Sequence, residues 1–317
     1  MKKDFVSITD FSAKEIMYIF ELAKNLKKEL KEKEKNKEVL KNKTLAMIFE
    51  KPSLRTRLSF ETGMTQLGGH AIYLAPSDIG MGKRESISDT AKVISRMADM
   101  IMARTFCHTT VEKLAQYSKV PVINGLSDLE HPCQILADLM TILEVKEKLK
   151  GLTISYFGDA ENNVTHSLCL ASAILGINFK CGAPKGFWMN NEIVSKAKKI
   201  AQKTKSQIVE TNDPKEAVTN ADVIYTDTWV SMGDEMEKEK RLKIFKPYQV
   251  NKQLMKLAKK DAMFMHDLPA YRGNEVTSEV IDGPQSVVFQ EAENRLHVQK
   301  ALLIYLLDKQ KRGENYG

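Results

Sequence analysis

The chain has 317 residues, of which 43% are hydrophobic and 28% are charged, so it can bury a large core and is long enough for two domains. Its formal net charge is +7, but the lysines crowd into residues 24–43, 196–205 and 252–260, which have the character of solvated helical faces. No nucleic-acid module or basic stripe interleaved with aromatic residues accompanies them, which argues against nucleic-acid binding and favours small anionic substrates.

Neither membrane insertion nor disulfide bonding is expected. The N-terminal residues lack an apolar signal region, and no stretch approaches the roughly 20 apolar residues that a membrane-spanning helix needs. The cysteines have no paired C-x-x-C spacing, and no carboxylate cluster has the spacing of metal ligands. We therefore expect a soluble, cytoplasmic protein that holds no metal and no cofactor.

Short β-rich runs alternate with amphipathic helices along the chain. Ser12 can cap a first helix over 13–30, and the lysine-rich residues 31–43 form an exposed helix or loop. The expected strands are 44–49, 70–74, 100–103, 120–124, 152–157, 179–183, 207–210, 223–225, 262–265 and 286–289. This alternation predicts an α/β protein with mainly parallel sheets that are covered on both faces.

Two long helices organise the expected domains. A helix over 133–148 would carry the chain from a first sheet into a second, and a final helix over 292–307 would pack back onto the first domain. We place the first domain at residues 1–135, with the C-terminal helix 296–317 packed on it, and the second at residues 136–295.

The segment from Ser53 to Arg57 predicts an anion site. Pro52 breaks the preceding strand, and Ser53 can cap the helix that follows, so free backbone N–H groups converge there. Arg55 and Arg57 add positive charge, which is unfavourable at a helix start unless an anion neutralises it. The alternative is an ordinary capped helix with two solvated arginines.

Polar side chains also follow the other expected strands, at the sheet edge where α/β proteins bind ligands. They lie in the segments 104–105, 131–134, 159–163, 227–229, 266–269 and 293–295. Arg104 could instead pair with a nearby carboxylate, and His131 could simply open a helix. The turn after the fifth strand lacks G-x-G-x-x-G, which argues against a dinucleotide.

These residues divide into two groups. The cationic group suits an anion and a carbonyl, which His131 and Gln134 could grip from one helical turn. Asn163, Asp227 and Asp267 suit an amine or an amino acid. Because no activated Ser or Cys nucleophile is evident, we infer direct transfer between two substrates, with an amine as the nucleophile.

Four motifs resemble the signatures of the aspartate/ornithine carbamoyltransferase family, and the resemblance covers nearly the whole chain. They are Ser53-Leu54-Arg55-Thr56-Arg57, His131-Pro132-Cys133-Gln134, Asp227-Thr228-Trp229-Val230-Ser231-Met232-Gly233 and His266-Asp267-Leu268-Pro269. The Ser-Met-Gly loop and the segment from Glu291 to Arg295 resemble the ornithine branch rather than the aspartate branch.

The resemblance implies two doubly wound parallel-sheet domains linked by two long helices, the first binding carbamoyl phosphate and the second ornithine. It implies transfer of the carbamoyl group to the δ-amino group of L-ornithine, giving citrulline and phosphate, as in arginine biosynthesis. It also implies a homotrimer, or a multiple of trimers, with active sites at subunit interfaces.

Residue roles follow from the same resemblance. Ser53, Arg55 and Thr56 would hold the phosphate with Arg104, and Leu54 would contribute its backbone N–H. His131, Gln134 and Arg295 would polarise or orient the carbamoyl group, which the main-chain carbonyls of Asp267 and Leu268 would face. The expected ligands of the amino-acid end of ornithine are Asn163, Asp227, Ser231 and Met232.

Two positions depart from the family pattern. Asp267 stands where the family has cysteine, and a carboxylate is more reliably ionised at neutral pH than a thiol. We therefore expect Asp267 to contact the δ-ammonium group and to pass its proton onward. Gly80 stands where the family usually has a glutamine that reaches a neighbouring subunit's phosphate site, which leaves Lys83 or Arg84 as substitutes.

Three other functions remain open at this point. Asp267 could favour a different amine with a second cationic end, such as putrescine. The two departures could indicate a non-catalytic protein that binds carbamoyl phosphate, although the set of Arg55, Arg104, His131 and Gln134 is intact. Nucleic-acid binding through the lysine runs would show a steep dependence on salt.

Overall fold

The computed structural model describes residues 2–82, 84–230 and 235–314. Within them the strands are β1 Thr44–Phe49, β2 His70–Leu74, β3 Met100–Arg104, β4 Val122–Leu126, β5 Thr153–Phe157, β6 Asn178–Gly182, β7 Ile208–Thr211, β8 Val223–Thr226 and β9 Met263–Met265. The helices are α1 Ala13–Lys33, α2 Leu54–Gln66, α3 Pro76–Ile79, α4 Ile87–Ile94, α5 His108–Tyr117, α6 Pro132–Lys146, α7 Asn163–Leu175, α8 Asn191–Thr204, α9 Pro214–Val218, α10 Lys238–Phe245, α11 Lys252–Met255, α12 Ser278–Ile281 and α13 Val288–Glu314.

The chain divides into two compact units, each built on one parallel sheet. Unit 1 comprises Met1–Leu136 and Glu293–Gly317, and unit 2 comprises Ala137–Ala292. The chain therefore leaves unit 1 within α6 and returns to it within α13. The predicted α/β fold with parallel sheets is confirmed.

In unit 1 the strand order is β2-β1-β3-β4. Strands β1, β3 and β4 are buried along nearly their whole length, whereas β2 is an edge strand with exposed positions. One apolar cluster packs Ile48 and Ile101 of the sheet against Val111 and Leu114 of α5. Buried strands of this kind are the near-continuous hydrophobic runs that the sequence showed.

In unit 2 the strand order is β7-β6-β5-β8-β9, again all parallel. Its core includes Phe157, Ile224 and Phe264 from three neighbouring strands, packed against residues of α9, α11 and α12. Helix α7 lies almost wholly inside unit 2, because 11 of its 13 residues are buried.

The structure corrects one predicted strand and several element ends. Residues 286–289 do not form a strand: Ser286 makes one isolated bridge to Phe264, and α13 begins at Val288. The final helix is thus longer than predicted. The long helix predicted over 133–148 runs over Pro132–Lys146, and the first helix extends to Lys33.

Candidate active site

The predicted anion site of unit 1 lies at the point where the strand order of its sheet reverses. Strands β1 and β3 are neighbours, and Phe49 at the end of β1 is the register partner of Arg104 at the end of β3. Their connections lead to opposite sides of the sheet, which opens a crevice beyond the carboxyl ends of the strands. Arg104 and the start of α2 meet at this crevice.

The start of α2 supplies capped backbone donors. Ser53 is the N-cap residue, and its Oγ lies 3.3 Å from the N–H of Thr56 and 3.1 Å from Thr56 Oγ1. Leu54 is 74% exposed and has no polar side-chain atom, so only its backbone can serve an anion. Helix α2 has 13 residues, which is enough for a partial positive charge at its start.

Arg295 connects three elements of unit 1. Its Nη2 donates a hydrogen bond to Thr56 Oγ1 at 2.8 Å, and its Nη1 donates to Oε1 of Gln134. Thr56, Gln134 and Arg295 are all buried. The sequence predicted that all three would serve one site, and the structure brings them together from α2, α6 and α13.

His131 lies just before α6 and is surrounded by positive charge. Burial lowers its pKa well below the usual value, and the charges of Arg295, Arg104 and Arg55 lower it further. The imidazole is therefore neutral at physiological pH. In this form it has one N–H that can donate a hydrogen bond to a substrate oxygen. The structure thus brings His131 near Arg55, Arg104 and Arg295, four residues that the sequence analysis assigned to one end of the site.

Two basic residues of the same region differ from expectation. Arg57 turns away from the site: it is exposed, its Nε donates to Glu61 at 2.8 Å, and its guanidinium stacks 4.2 Å from the ring of Tyr73. Lys51 was not predicted as a site residue, yet burial and the charge of Arg104 lower its pKa. Its position just beyond the carboxyl end of β1 was the signal that could have found it.

The acidic site of unit 2 lies at the reversal point of the second sheet. There Phe157 at the end of β5 is the register partner of Thr226 at the end of β8. Asp227 follows β8, and Asn162, the N-cap of α7, donates from Nδ2 to Asp227 Oδ2 at 3.3 Å. The predicted ligand Asn163 is the first residue of that helix. Asn162 was not predicted as a site residue, because an asparagine at the start of a helix is already explained by its role as the N-cap.

Asp227 comes together with the adjacent residues His266 and Asp267, which lie about 40 positions further along the chain. One nitrogen or oxygen atom from each lies within 4.8 Å of the others, a spacing that a metal ion could also use but that acidic groups often show without one. Burial raises the pKa of Asp227 well above its usual value, and the adjacent charge of Asp267 raises it further. A bound cation would relieve this repulsion.

A buried glutamate supports the segment that carries Asp267. Oε1 of Glu275 lies 3.3 Å from Nε2 of His266, and the N–H of Leu268 donates to Nδ1 at 2.9 Å. Although burial opposes the shift, hydrogen bonds to Asp267 and Glu275 raise the pKa of His266 to about 9. Leu268 has a left-handed φ of 59°, so its backbone carbonyl direction depends on this support. Glu275 was not predicted, because only the tertiary fold brings it to His266.

Arg241 links the residue Trp229 at the end of the acidic-site segment to Asp159. The guanidinium of Arg241 bonds the carboxylate of Asp159, and its Nε donates to the carbonyl of Trp229 at 2.7 Å. Gly158 has φ of 122°, and a Cβ there would lie 3.0 Å from Nε1 of Trp229, so glycine is required. The predicted ligands Ser231 and Met232 lie outside the described residues.

Gly80 has a backbone conformation that favours glycine. It ends α3 in the left-handed region, with φ of 59°, and a Cβ there would lie 3.0 Å from Cβ of Arg84. The exposed Arg84 contacts the carbonyl of Asp78 at 3.4 Å. Lys83, the other suggested substitute, lies outside the described residues.

Comparisons with known proteins cover both units. The family model for the carbamoyl-P binding domain of aspartate/ornithine carbamoyltransferase matches residues 3–144, and that for the Asp/Orn binding domain matches residues 150–306. The ornithine carbamoyltransferase of Anoxybacillus flavithermus is 54% identical over 308 residues, which are 96% of each chain. That of Pyrococcus abyssi is 52% identical over 311 residues, which are 98% of each chain.

Solved structures show the same similarity. The ornithine carbamoyltransferase from Pyrococcus furiosus superposes with a TM-score of 0.92 at 52% identity, covering 95% of this chain and 96% of that one. The anabolic enzyme from Campylobacter jejuni gives 0.91 at 43% identity, covering 97% and 99%. In the described part of the chain no helix is long and apolar enough to cross a membrane.

Proposed function

The chain belongs to the aspartate/ornithine carbamoyltransferase family, and we propose that unit 1 binds carbamoyl phosphate and unit 2 binds ornithine. Its activity is ornithine carbamoyl transfer: the carbamoyl group moves from carbamoyl phosphate to the δ-amino group of L-ornithine, giving L-citrulline and phosphate. The observation that carries the assignment of unit 1 is the grouping of Arg55, Arg104 and Arg295 around the neutral His131.

Carbamoyl phosphate is held in this proposal by its two ends. The phosphate accepts from the backbone at Ser53–Thr56 and from the side chains of Arg55 and Arg104. The carbamoyl oxygen accepts from His131 and Arg295, and Gln134 orients the group. As the carbon–oxygen bond to phosphate breaks, the arginines stabilise the negative charge that moves onto the leaving group.

Ornithine is held through its charged groups. Asn163, Asp227, Ser231 and Met232 bind the amino-acid end, and Asp267 contacts the δ-ammonium group. A free δ-amine titrates at about 10.4, as lysine does, so it must lose a proton before it attacks. Asp267 holds this group and accepts its proton, although a nearby carboxylate also favours the ammonium form. The carbonyls of Asp267 and Leu268 face the carbamoyl amide.

The enzyme is further proposed to act in the cytoplasm in arginine biosynthesis, as a homotrimer or a multiple of trimers. The Campylobacter jejuni relative is described as an anabolic enzyme, which supports the biosynthetic role. The apolar side chains Leu54, Leu58 and Ile72 of unit 1 are 74%, 59% and 42% exposed, a pattern that a neighbouring subunit would cover. The loop with Gly80 and Arg84 would complete that neighbour's phosphate site.

The test is a panel of amines. Purified protein is incubated with carbamoyl phosphate and, separately, ornithine, putrescine, lysine and N-acylated ornithines, and both phosphate and ureido product are measured. We expect product with ornithine and little with the others, because the site binds an amino-acid end as well as an amine. A preference for putrescine would reassign the substrate, and no product with any amine would leave a non-catalytic carbamoyl phosphate-binding protein.

A further inference from the structure

Helices α6 and α13 carry two pairs of touching side chains, one in each unit. In unit 1 the pair is Gln134 and Arg295. In unit 2 the side chains of Asp138 and Glu291 meet at the hydroxyl of Tyr225, each one helical turn from its counterpart in the first pair. The second pair consists of two carboxyl groups and has no place in the roles assigned so far.

The two carboxyl groups are completely buried, each with 0% of its surface exposed. The hydroxyl of Tyr225 lies 3.1 Å from Asp138 Oδ2 and 3.3 Å from Glu291 Oε1. On its other side, Oε2 of Glu291 accepts the main-chain N–H of His266 at 3.1 Å. The pair thus contacts the ends of both strands that lead to the acidic site.

Two buried carboxyl groups this close favour sharing one proton over holding two negative charges, because ionised carboxylates only accept hydrogen bonds and repel each other. One hydroxyl, that of Tyr225, can donate to only one of them at a time. Burial raises the pKa of Glu291 well above its usual value, and the charges of Asp138 and Asp267 raise it further. The titratable groups facing the pair are Tyr225, His266, Asp267 and Asp227.

We propose that Asp138 and Glu291 share one proton and act as a positioning pair for the ornithine-binding residues. Glu291 fixes the backbone of His266, the residue before Asp267, and Tyr225 ties the pair to the strand that ends one residue before Asp227. The positioning role rests on the proposed ornithine site, whereas the shared proton does not.

Infrared spectroscopy tests the proton without reference to activity. We expect the wild-type enzyme at pH 7 to show the carbonyl stretch of a protonated carboxyl group, and either Glu291→Gln or Asp138→Asn to remove it. Glu144→Gln is the matched control, because Glu144 also lies on α6 and accepts from Gln290 of α13 at 2.8 Å. If Glu291→Gln and Asp138→Asn each remove the band of an ionised carboxylate instead, both groups are ionised in the wild type and the shared proton is ruled out.

Kinetics test the positioning role. Either single amide variant should keep kcat/KM for ornithine within about threefold of the wild type, because an amide N–H can replace the carboxyl O–H. Glu291→Ala should lower kcat/KM for ornithine roughly tenfold or more, with the affinity for carbamoyl phosphate unchanged. If Glu291→Gln loses as much as Glu291→Ala, or if both substrates are affected equally, the positioning role is wrong. The amide variants keep the side-chain shape and should fold even if the alanine variant does not. A loss in them well beyond threefold would by itself contradict the positioning role.

Discussion

At the scale of single residues, His131 shows how position converts an ordinary side chain into a neutral donor. Its burial and three nearby arginines favour the uncharged imidazole. Because its folded pKa is lowered, its contribution to stability is present above the usual value of 6.5 and is lost as the pH falls through the lowered pKa. The donor stays in the same form throughout the neutral range.

Replacing His131 by alanine removes a donor from the developing charge. We predict a fall in kcat of roughly 10²- to 10³-fold, as for other lost donors of this kind, measured as citrulline formation under saturating substrates. His131→Asn, which keeps an N–H donor, should recover part of the loss. Equal and small effects of the two substitutions on kcat would contradict the donor role.

The repulsion between Asp227 and Asp267 should lower the stability of the folded protein, while the charge of Asp267 should strengthen ornithine binding. Since the folded pKa of Asp227 is raised, the contribution of this group to stability is present below the usual value of 3.8 and is lost as the pH rises through the raised pKa. Asp267→Asn removes the neighbouring charge, so it should raise Tm relative to the wild type by about 2–4 °C at pH 8 and by less near pH 4.

The same substitution should weaken ornithine binding, because Asp267 is the carboxylate proposed to contact the δ-ammonium group. Calorimetric titration with ornithine at both pH values provides the measurement. A variant that is no more stable at pH 8 and binds ornithine as tightly as the wild type would rule out both the repulsion and the contact.

At the scale of elements, helix α2 separates two arginines that look equivalent in the sequence. The charge of Arg55 lowers the pKa of His131, whereas the side chain of Arg57 donates a hydrogen bond to Glu61 and stacks on the ring of Tyr73. We predict that Arg55→Ala raises KM for carbamoyl phosphate at least tenfold, the loss of about 1.5–3 kcal/mol expected for a charge-assisted hydrogen bond. Arg57→Ala, the matched control on the same helix, should change it by less than about twofold. Comparable effects of the two would mean that the anion site extends along α2.

Which residues lie near one another at the sheet edges could be predicted from the sequence in part, and the ends of elements less well. Residues that follow strands could be found because parallel strands bring their carboxyl ends to one edge, so Arg104 and Asp227 needed no tertiary information. Glu275 and Arg241 could not be found, since only the packing of distant segments brings them to His266 and Asp159. Residues 286–289 failed as a strand because a short apolar run before a helix has the same composition as a buried strand.

At the scale of the whole molecule, the exposed apolar side chains of α2 and the edge strand β2 bear on assembly. If these residues form the subunit contact of a trimer, then Leu58→Glu places a charge in it and should shift the protein towards monomers in sedimentation velocity experiments. Activity should then fall with the trimer fraction, because in the proposed assembly a neighbouring subunit would complete the site. Glu substituted at Leu257, which is 49% exposed in unit 2, serves as the control. A monomeric wild-type protein with full activity would contradict the proposed assembly.

The central claim is that the chain transfers a carbamoyl group directly to ornithine. The most direct measurement is a single-turnover experiment with excess enzyme, carbamoyl phosphate and ornithine, in which citrulline and phosphate are quantified together. The account predicts equal amounts of both products with the same time course, and no comparable phosphate release when ornithine is omitted. Phosphate released at the same rate without ornithine, or without matching citrulline, would contradict it.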